Sequence, residues 1–409
     1  MVRAYARLVS VGFLSALFAF SAAASTFKPE HKFTGKADGG EPLGGMVATK
    51  TGTLVGIAFV GGIVDPDKSC GDGCGTIFEF DPATGKLTTL YKFTGGDDGH
   101  NPNGDLVADK AGVIYGTTGF GGQYSGGTIY KFDPATKTFT TLFAFRRQGV
   151  GTNPNALAID AKGMLYGSTF FGGTRDFGTL FKFDPASGKA TALHVLGSTK
   201  NGPLNLNTRM VIDKDGALYG VSQTGGTAGF GALFKFNPAS KSMTILHSFT
   251  DVDGQPQGGL AISGTGTLYG VSSTANSSEA ANCQTTGCGE VYRFIPASGA
   301  FTTLHAFTNR LDGTEPSGDL VLDTKSNTLY GETSTGGVRK KGVLFKLNPA
   351  TKQLTVLHPF GGADGAVGFG QAVTLGANGV VYGATFSGGL ANPSICGNSG
   401  CGVLFKVSP

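Results

Sequence analysis

The sequence contains no tryptophan, and charged residues make up only 15% of its 409 positions. Disorder is not expected, since 40% of the residues are hydrophobic and they recur regularly along the chain. The net charge of +4 is small, and the longest basic run is Arg339-Lys340-Lys341. Because nucleic-acid binders concentrate positive charge on one surface, we expect no nucleic-acid partner.

Several enzyme signatures are also missing. The sequence has no Gly-x-Ser-x-Gly elbow, no His-Glu-x-x-His pair, no P-loop and no dinucleotide-binding glycine pattern that opens a helix. Paired carboxylates leave no such signature, so an acid-based site stays open. We predict no catalytic residue and no cofactor from the motifs.

The longest hydrophobic stretch lies at the start of the chain. Arg3 and Arg7 precede an apolar run over residues 8–20, and Ala22 and Ala24 are small enough for cleavage before Ser25. A membrane span needs about 20 apolar residues, so this run is too short for one. We predict a signal peptide over residues 1–24, and a secreted or periplasmic protein with no transmembrane segment in the mature chain.

A repeated unit fills residues 25–409. A proline that ends an alternating strand recurs about every 50 to 60 residues, and Gly-x-Leu-Tyr-Gly or a close variant precedes that strand. The seven prolines are Pro82, Pro134, Pro185, Pro238, Pro296, Pro349 and Pro409. The alternation has β periodicity, and helical periodicity is absent after the first 24 residues.

Each unit contains four predicted strands, which in the second unit cover residues 105–108, 113–117, 128–132 and 139–145. Four-stranded units of this length, repeated four to eight times, are typical of a β-propeller. The seventh unit ends at Pro409 without its fourth strand, and Glu30-His31-Lys32-Phe33 matches the missing one. We therefore predict a single all-β domain over residues 25–409, a seven-bladed β-propeller whose last blade is closed by the N-terminal strand.

The repeat resembles a known family. The run Gly-x-Leu-Tyr-Gly-x-Thr-x-x-Gly-Gly, followed by Gly-x-Leu-Phe-Lys-Phe-x-Pro-Ala-(Ser/Thr), is nearly complete over residues 163–187. It resembles the GloVer (Gloeobacter/Verrucomicrobia-type) tandem repeat of exported bacterial proteins, and the resemblance covers essentially all of residues 26–409. The resemblance implies an exported repeat protein and no established activity.

The six cysteines form three local pairs in the same loop of three units. They are Cys70/Cys74, Cys283/Cys288 and Cys396/Cys401, each in the loop between the second and third strands. Even, closely spaced cysteines in an exported chain predict disulfides. The alternative is a four-cysteine zinc site joining units one and seven, although zinc motifs usually use a tighter Cys-x2-Cys spacing.

Five of the six histidines share one position of the fourth strand, where other units have Tyr91 and Phe143. A position that accepts Tyr and Phe calls for a partly buried flat ring, so these histidines are predicted to pack. His100 lies outside this register, in the loop that contains Asp98. His100 is a candidate base, metal ligand or binding residue, and the alternative is a solvated loop histidine.

Asp-Gly pairs recur between units, at Asp38, Asp98, Asp253, Asp312 and Asp364. We interpret them first as turn residues, because Asp caps its own backbone and Gly accepts a positive φ. Asp251-x-Asp253-Gly resembles the start of a calcium loop, but the later ligands are missing, so structural calcium has no support.

One position of the first strand carries charge in three units only. It holds Asp105, Arg209 and Asp319, where the other units have glycine or alanine. First strands line the central channel of a propeller, so these charges are expected to converge at its mouth, either as a binding site or as a solvated rim. Departures from a repeat often mark a binding site.

Two functions follow from these observations. The first is a non-catalytic binding or surface-interaction propeller, expected to be a monomer, with an extracellular or periplasmic ligand such as a carbohydrate or a protein. Its binding residues would be Asp105, Arg209, Asp319, Asp98 and His100. The alternative is a carbohydrate-active hydrolase or lyase that uses acidic residues at the channel mouth, and it depends on fold analogy.

Overall fold

The computed structural model describes residues 25–408 except 66, 68–69, 199–201, 205, 207, 276–282, 284–286 and 367–371. These residues form seven antiparallel blades, each of which contributes its first strand to the central channel. The strands of a blade are named A to D from the channel outward. The predicted signal peptide, residues 1–24, lies outside the described residues.

Blades one to three contain consecutive strands. Their bounds are β2 (Gly40–Ala48), β3 (Leu54–Val60), β4 (Thr76–Asp81) and β5 (Lys86–Lys92) in blade one; β6 (His100–Ala108), β7 (Ile114–Phe120), β8 (Thr128–Asp133) and β9 (Thr138–Ala144) in blade two; and β10 (Thr152–Pro154), β11 (Ala158–Ile159), β12 (Leu165–Phe171), β13 (Thr179–Asp184) and β14 (Lys189–Val195) in blade three.

Blades four and five follow the same order. Their bounds are β15 (Pro203–Leu204), β16 (Val211–Ile212), β17 (Leu218–Ser222), β18 (Thr224–Gly225), β19 (Ala232–Asn237) and β20 (Ser242–Ser248) in blade four; and β21 (Pro256–Ile262), β22 (Leu268–Ser272), β23 (Glu290–Ile295) and β24 (Ala300–Ala306) in blade five.

Blades six and seven complete the ring. Their bounds are β25 (Thr314–Pro316), β26 (Val321–Asp323), β27 (Thr328–Thr335), β28 (Val343–Asn348) and β29 (Gln353–Pro359) in blade six; and β30 (Thr374–Leu375), a 3₁₀ turn (Ala377–Gly379), β31 (Val381–Thr385), β32 (Val403–Ser408) and β1 (Thr26–Lys32) in blade seven.

The N-terminal strand β1 closes the ring as predicted. It pairs antiparallel with β32, from Thr26 opposite Ser408 to Lys32 opposite Val403, so the sheet order is β1-β32-β31-β30. Phe33, which follows β1, has an exposed fraction of 0% and lies 5.2 Å from the ring of Phe78 in blade one. The seven-bladed propeller with a composite last blade is confirmed.

The glycine that follows the motif tyrosine lies beneath an aromatic ring of strand C. A Cβ atom at Gly116 would stand 2.3 Å from Oη of Tyr130, and one at Gly167 would stand 2.6 Å from the ring of Phe181. Every blade has the same close approach, so the glycine is needed for space. Most of the buried apolar side chains form clusters that connect neighbouring blades around the ring.

Two of these buried rings carry a hydroxyl group for which the described residues provide no partner, those of Tyr130 and Tyr292. The other five blades have phenylalanine at this position. A buried hydroxyl without a hydrogen bond destabilises a fold, so we expect Tyr130→Phe to raise the free energy of unfolding by about 1 kcal/mol. Urea denaturation monitored by fluorescence measures this change, with Tyr124→Phe, an exposed tyrosine, as the control. A destabilised Tyr130→Phe variant would contradict the prediction.

The propeller has two unlike faces. The loop face contains the loops between blades and the loops between strands B and C, which contact each other, as shown by the hydrogen bonds from Gly62 N to Lys36 O and from Gly122 N to Gly96 O. The turn face contains the short turns between strands A and B and between strands C and D. The inner strand of blade two starts at His100, earlier than the predicted residue 105, because the segment from His100 pairs with β7 up to Phe120.

Candidate functional site

The three charged side chains of the first strands meet inside the channel. Arg209 of blade four places Nη1 3.1 Å from Oδ2 of Asp105 in blade two, and Nε 3.4 Å from Oδ2 of Asp319 in blade six. Their side chains are 28%, 6% and 12% exposed, respectively. The three charged side chains therefore converge as predicted, but they lie within the channel and pair with one another. We call this group the channel cluster.

Each aspartate of the channel cluster is held by the blade before it. The backbone N–H of Gly45 donates to Oδ1 of Asp105 at 2.6 Å, and the N–H of Gly259 donates to Oδ1 of Asp319. A Cβ atom at Gly259 would approach the Asp319 carboxylate to 2.6 Å, so a larger residue here would displace that carboxylate. The sequence contained a pattern that could have predicted these contacts. Glycine occupies the position equivalent to Asp105 and Asp319 in two blades only, and these are the blades that directly precede the two aspartates.

In the channel cluster, two carboxylate groups form ion pairs with one guanidinium group. Burial raises the pKa of Asp319, and the neighbouring Asp105 carboxylate raises it further. Burial lowers the pKa of Arg209, but the two aspartates outweigh it and the pKa is raised overall. Asp319 therefore retains its proton more readily than an isolated aspartate does.

The channel cluster divides the channel into two cavities. The cavity towards the loop face measures about 190 Å³ and is lined by polar side chains that include Asn103, Thr208 and Gln257. The cavity towards the turn face measures about 470 Å³ and is lined largely by aliphatic side chains such as Val107, Val211 and Ile262. A ligand that enters from the loop face would meet the polar cavity first.

The structure places Asp98 and His100 away from the channel cluster. Asp98 is 8% exposed and accepts hydrogen bonds from the backbone N–H of Thr94 at 2.9 Å and from the hydroxyl of Tyr91 at 2.9 Å. These contacts stabilise the turn between blades one and two. His100 is 5% exposed, so its interpretation as a solvated loop histidine is wrong, because the residue begins β6 and packs against Phe120 with ring centroids 5.6 Å apart.

Four of the five histidines of strand D bond to the aspartates of the following loop, a contact that sequence analysis missed. In each pair Nε2 lies 2.8 to 3.1 Å from a carboxylate oxygen; the pairs are His31–Asp38, His247–Asp253, His305–Asp312 and His358–Asp364. The predicted packing is also present, as in the stack of His358 on Phe27 with centroids 3.5 Å apart. In the sequence, each of these histidines precedes its aspartate by six or seven residues, and this recurring spacing could have predicted the pairs.

These pairs predict a loss of stability in acid. Burial alone would raise the pKa of Asp38, Asp253 and Asp312, but the hydrogen bonds from histidine and threonine outweigh it and lower the pKa. A carboxyl group with a lowered folded-state pKa stabilises the fold above its ordinary value of 3.8, and this contribution is lost as the pH falls through the folded pKa. We expect the Tm to fall steeply below about pH 4, measured by calorimetry. The variant Asp312→Asn should have a lower Tm at neutral pH and a smaller decrease in Tm on acidification. A Tm that rises in acid would contradict this prediction.

All three predicted cysteine pairs are disulfides. The Cα atoms of Cys70–Cys74, Cys283–Cys288 and Cys396–Cys401 lie 5.0, 5.3 and 5.1 Å apart, and no described cysteine is free for the alternative zinc site. All three lie on the loop face. Among the described residues, no group of three or more His, Cys, Asp or Glu side chains is placed to hold a metal ion.

The large apolar side chains that are exposed in the described part of the chain are concentrated on the loop face. Among the described residues, the large hydrophobic side chains that are at least 37% exposed all lie on loops between blades, on loops between strands B and C, or at the adjoining ends of strand B. They are Ile63, Val64, Phe120, Tyr124, Phe171, Phe230, Val252, Leu311, Val338 and Leu390. A one-sided concentration of exposed apolar groups is typical of an interaction surface.

The basic residues are also distributed unequally. Five of the seven arginines beyond residue 24 lie in loops of this same face: Arg146, Arg147, Arg175, Arg310 and Arg339. Two of them stand over exposed rings, Arg146 at 5.9 Å from Tyr124 and Arg147 at 6.0 Å from Phe171. The turn face carries lysines such as Lys110 and Lys162. Arginine and aromatic residues are enriched in protein interfaces and lysine is depleted, so the loop face has the composition of a contact surface.

Two buried glutamates were missed by sequence analysis. Burial raises the pKa of Glu290 to about 7 and that of Glu332 to about 8. Their exposed fractions are 4% and 3%, so both side chains are buried within the propeller. The signal for Glu332 was its position in strand B, where the other blades have small or aliphatic residues such as Ile57 and Val221.

The fold and the loop face define a seven-bladed β-propeller with a channel closed by an ionic cluster and one face rich in exposed apolar and arginine side chains. The chain belongs to the Gloeobacter/Verrucomicrobia repeat family, whose model matches residues 66–284 and 281–396. No curated protein matches the sequence. In the described part of the chain, no helix is long and apolar enough to span a membrane.

Solved structures with a similar fold come from proteins of different kinds. The extracellular domain assigned to a hybrid two-component system of B. thetaiotaomicron aligns with a TM-score of 0.60 at 15% identity, covering 94% of this chain and 42% of that one. A fungal alcohol oxidase of the AA5 family aligns with 0.61 at 13% identity, covering 94% and 77%. The oligogalacturonate lyase of Vibrio parahaemolyticus aligns with 0.57 at 10% identity, covering 94% and 97%. This chain spans about two fifths of the length of that extracellular chain, and at these identities the likeness is one of fold.

Proposed function

We propose that the protein is an exported, non-catalytic binding propeller whose partner docks on the loop face. The observation that carries this proposal is that the ten large apolar side chains exposed among the described residues all lie on that face. The turn face, built from the same repeats, has short polar turns.

The disulfides support the exported location, because disulfides form and persist in oxidising compartments outside the cytosol. The extracellular propeller of B. thetaiotaomicron is a structurally similar domain on the outside of a cell. We also propose that the protein acts as a monomer, since the ring is closed within one chain.

The alternative of a carbohydrate-active hydrolase or lyase has less support. Retaining glycosidases separate their two carboxyl groups by about 5 Å, and inverting enzymes by more. Asp105 and Asp319 are instead both paired with the guanidinium of Arg209, so neither carboxylate is free to act on a sugar. The channel cluster thus has the geometry of a structural plug at the base of the loop-face cavity.

An array experiment tests the proposal. Residues 25–409 are applied to arrays of soluble polysaccharides and of folded extracellular proteins, and retention is scored separately from released sugar or peptide. We expect retention without product release. The loop-face double variant Tyr124→Ser/Phe171→Ser should be retained at least tenfold more weakly, because exposed aromatic residues dominate contact energies.

The matched control lies in the same two blades. Lys110→Ser/Lys162→Ser changes two exposed turn-face residues of blades two and three, and should leave retention unchanged. Release of products, equal weakening by the turn-face variant, or no retention on either array would each refute the proposal.

A further inference from the structure

A second cavity of the loop face lies at the boundary of blades one and two, apart from the channel. It measures about 560 Å³, and its wall includes His100, Phe120, Asp97, Gln123 and Asp67. We call it the blade-two cleft. Ligand pockets for small molecules have volumes of about 300–1,000 Å³ and combine an apolar wall with a few polar groups.

We propose that the blade-two cleft binds a neutral saccharide, with Phe120 as the stacking platform and His100 as a hydrogen-bond acceptor for a sugar hydroxyl. This inference depends on the proposed function, because it places a ligand on the loop face, and it adds the site and the chemical class of that ligand.

Phe120 has the properties of a platform. Its side chain is 43% exposed, and the ring of His100 stacks near it with an interplanar angle of 20°. The repeat does not require an aromatic residue here, since four of the seven blades have threonine or serine at this position of strand B, as at Thr335 and Ser387. The C–H faces of sugar rings pack on such exposed aromatic rings, whereas a residue needed for the propeller core would be buried.

The neighbouring residues fix the tautomer of His100. Nδ2 of Asn101 donates to the carbonyl oxygen of Phe59 at 3.0 Å, which orients the Asn101 amide. Oδ1 of Asn101 then faces Nδ1 of His100 at 2.6 Å and must accept its hydrogen. In the neutral ring, Nε2 of His100 is therefore the unprotonated nitrogen and a hydrogen-bond acceptor.

This acceptor has no protein partner among the described residues, although His100 is only 5% exposed. The other blades have Gly40, Thr152, Leu204, Gln255, Thr314 and Ala366 at the same position. A nearly buried histidine that lines a cleft, with one nitrogen oriented and the other unbonded, is suited to a ligand hydroxyl group.

The charges of the cleft select against anions. Asp67 and Asp97 are exposed, and the described residues provide neither with an ion-pair partner. Two carboxylates repel uronates, sulfated glycans and phosphates, but accept hydrogen bonds from sugar hydroxyls. Gln123, which is also exposed, adds an amide that can both donate and accept.

Calorimetric titration with named oligosaccharides tests the inference. Residues 25–409 are titrated with cellohexaose, xylohexaose, laminarihexaose and mannohexaose, and with trigalacturonate as the anionic comparison. We expect at least one hexaose to bind and trigalacturonate to bind at least tenfold more weakly. Phe120→Ala and His100→Phe should each weaken the hexaose at least tenfold. His100→Phe retains a flat ring beside Phe120, so it isolates the contribution of Nε2.

Controls separate this inference from the proposed function. The turn-face variant Lys110→Ser should bind the hexaose normally, and Tm values of all variants establish that they fold. If no hexaose binds, or if Phe120→Ala binds as well as the unaltered protein, the saccharide site is wrong. The proposed function would still stand if the arrays show retention that the Tyr124→Ser/Phe171→Ser variant loses. Equal binding of trigalacturonate would overturn the assignment of a neutral ligand.

Discussion

Replacing Arg209 by alanine should lower the free energy of unfolding by about 3–5 kcal/mol, the usual cost of removing one partner from a buried ionic group. The guanidinium contacts Asp105 and Asp319, whose side chains are 6% and 12% exposed. Without it, two carboxylates would face each other with little access to water. Guanidinium chloride denaturation at pH 7 measures the change.

Two further measurements identify the cause of this loss. Adding Asp105→Asn and Asp319→Asn to Arg209→Ala should recover part of the stability, because no uncompensated negative charge then remains. The deficit of Arg209→Ala should also shrink as the pH falls from 7 to 5, since the folded state of that variant would bind protons more strongly than the unfolded state. A deficit below about 1 kcal/mol, or one that grows in acid, would show that the channel cluster is not a structural plug.

Phe33→Ala should destabilise the propeller by about 3–5 kcal/mol, the cost of removing a buried phenylalanine side chain. The ring has an exposed fraction of 0% and follows β1, the strand that completes blade seven. It packs with Phe78, which belongs to blade one, so it connects the first and last blades of the ring. Thermal unfolding is the appropriate measurement.

The control for this substitution lies in the same strand. Thr26 is exposed at the outer end of β1, and Thr26→Ala should change the stability by no more than about 0.5 kcal/mol. If Phe33→Ala changed the stability as little as Thr26→Ala, the contact of Phe33 with blade one would not be needed to close the ring.

The sequence predicted the ring and its closure because both depend on local patterns. The proline turns, the alternating strands and the resemblance of residues 30–33 to a fourth strand are features of short segments. Convergence of Asp105, Arg209 and Asp319 was also predictable, since equivalent positions of a radial repeat meet at its axis. Their ionic pairing was not predicted, because it depends on side-chain reach across the channel.

The burial of His100 could not be read from the loop motif. Its neighbours Asp97-Asp98-Gly99 are polar, which indicates a solvated turn, yet β6 starts at His100 and pairs with the end of β7. Pairing between strands that are distant along the chain decides this exposure. The blade-two cleft has the same origin, since its wall combines residues from the loop between blades one and two with Phe120 and Gln123 of blade two.

The antiparallel pairing of β1 with β32 has a practical consequence. As the outermost strand, β1 runs towards the loop between blades seven and one, and its partner β32 runs the opposite way. Thr26 and Ser408 therefore lie side by side on the turn face. A peptide tag or solid support attached next to Thr26 or Ser408 would hold the molecule by its turn face and leave the loop face exposed to solution.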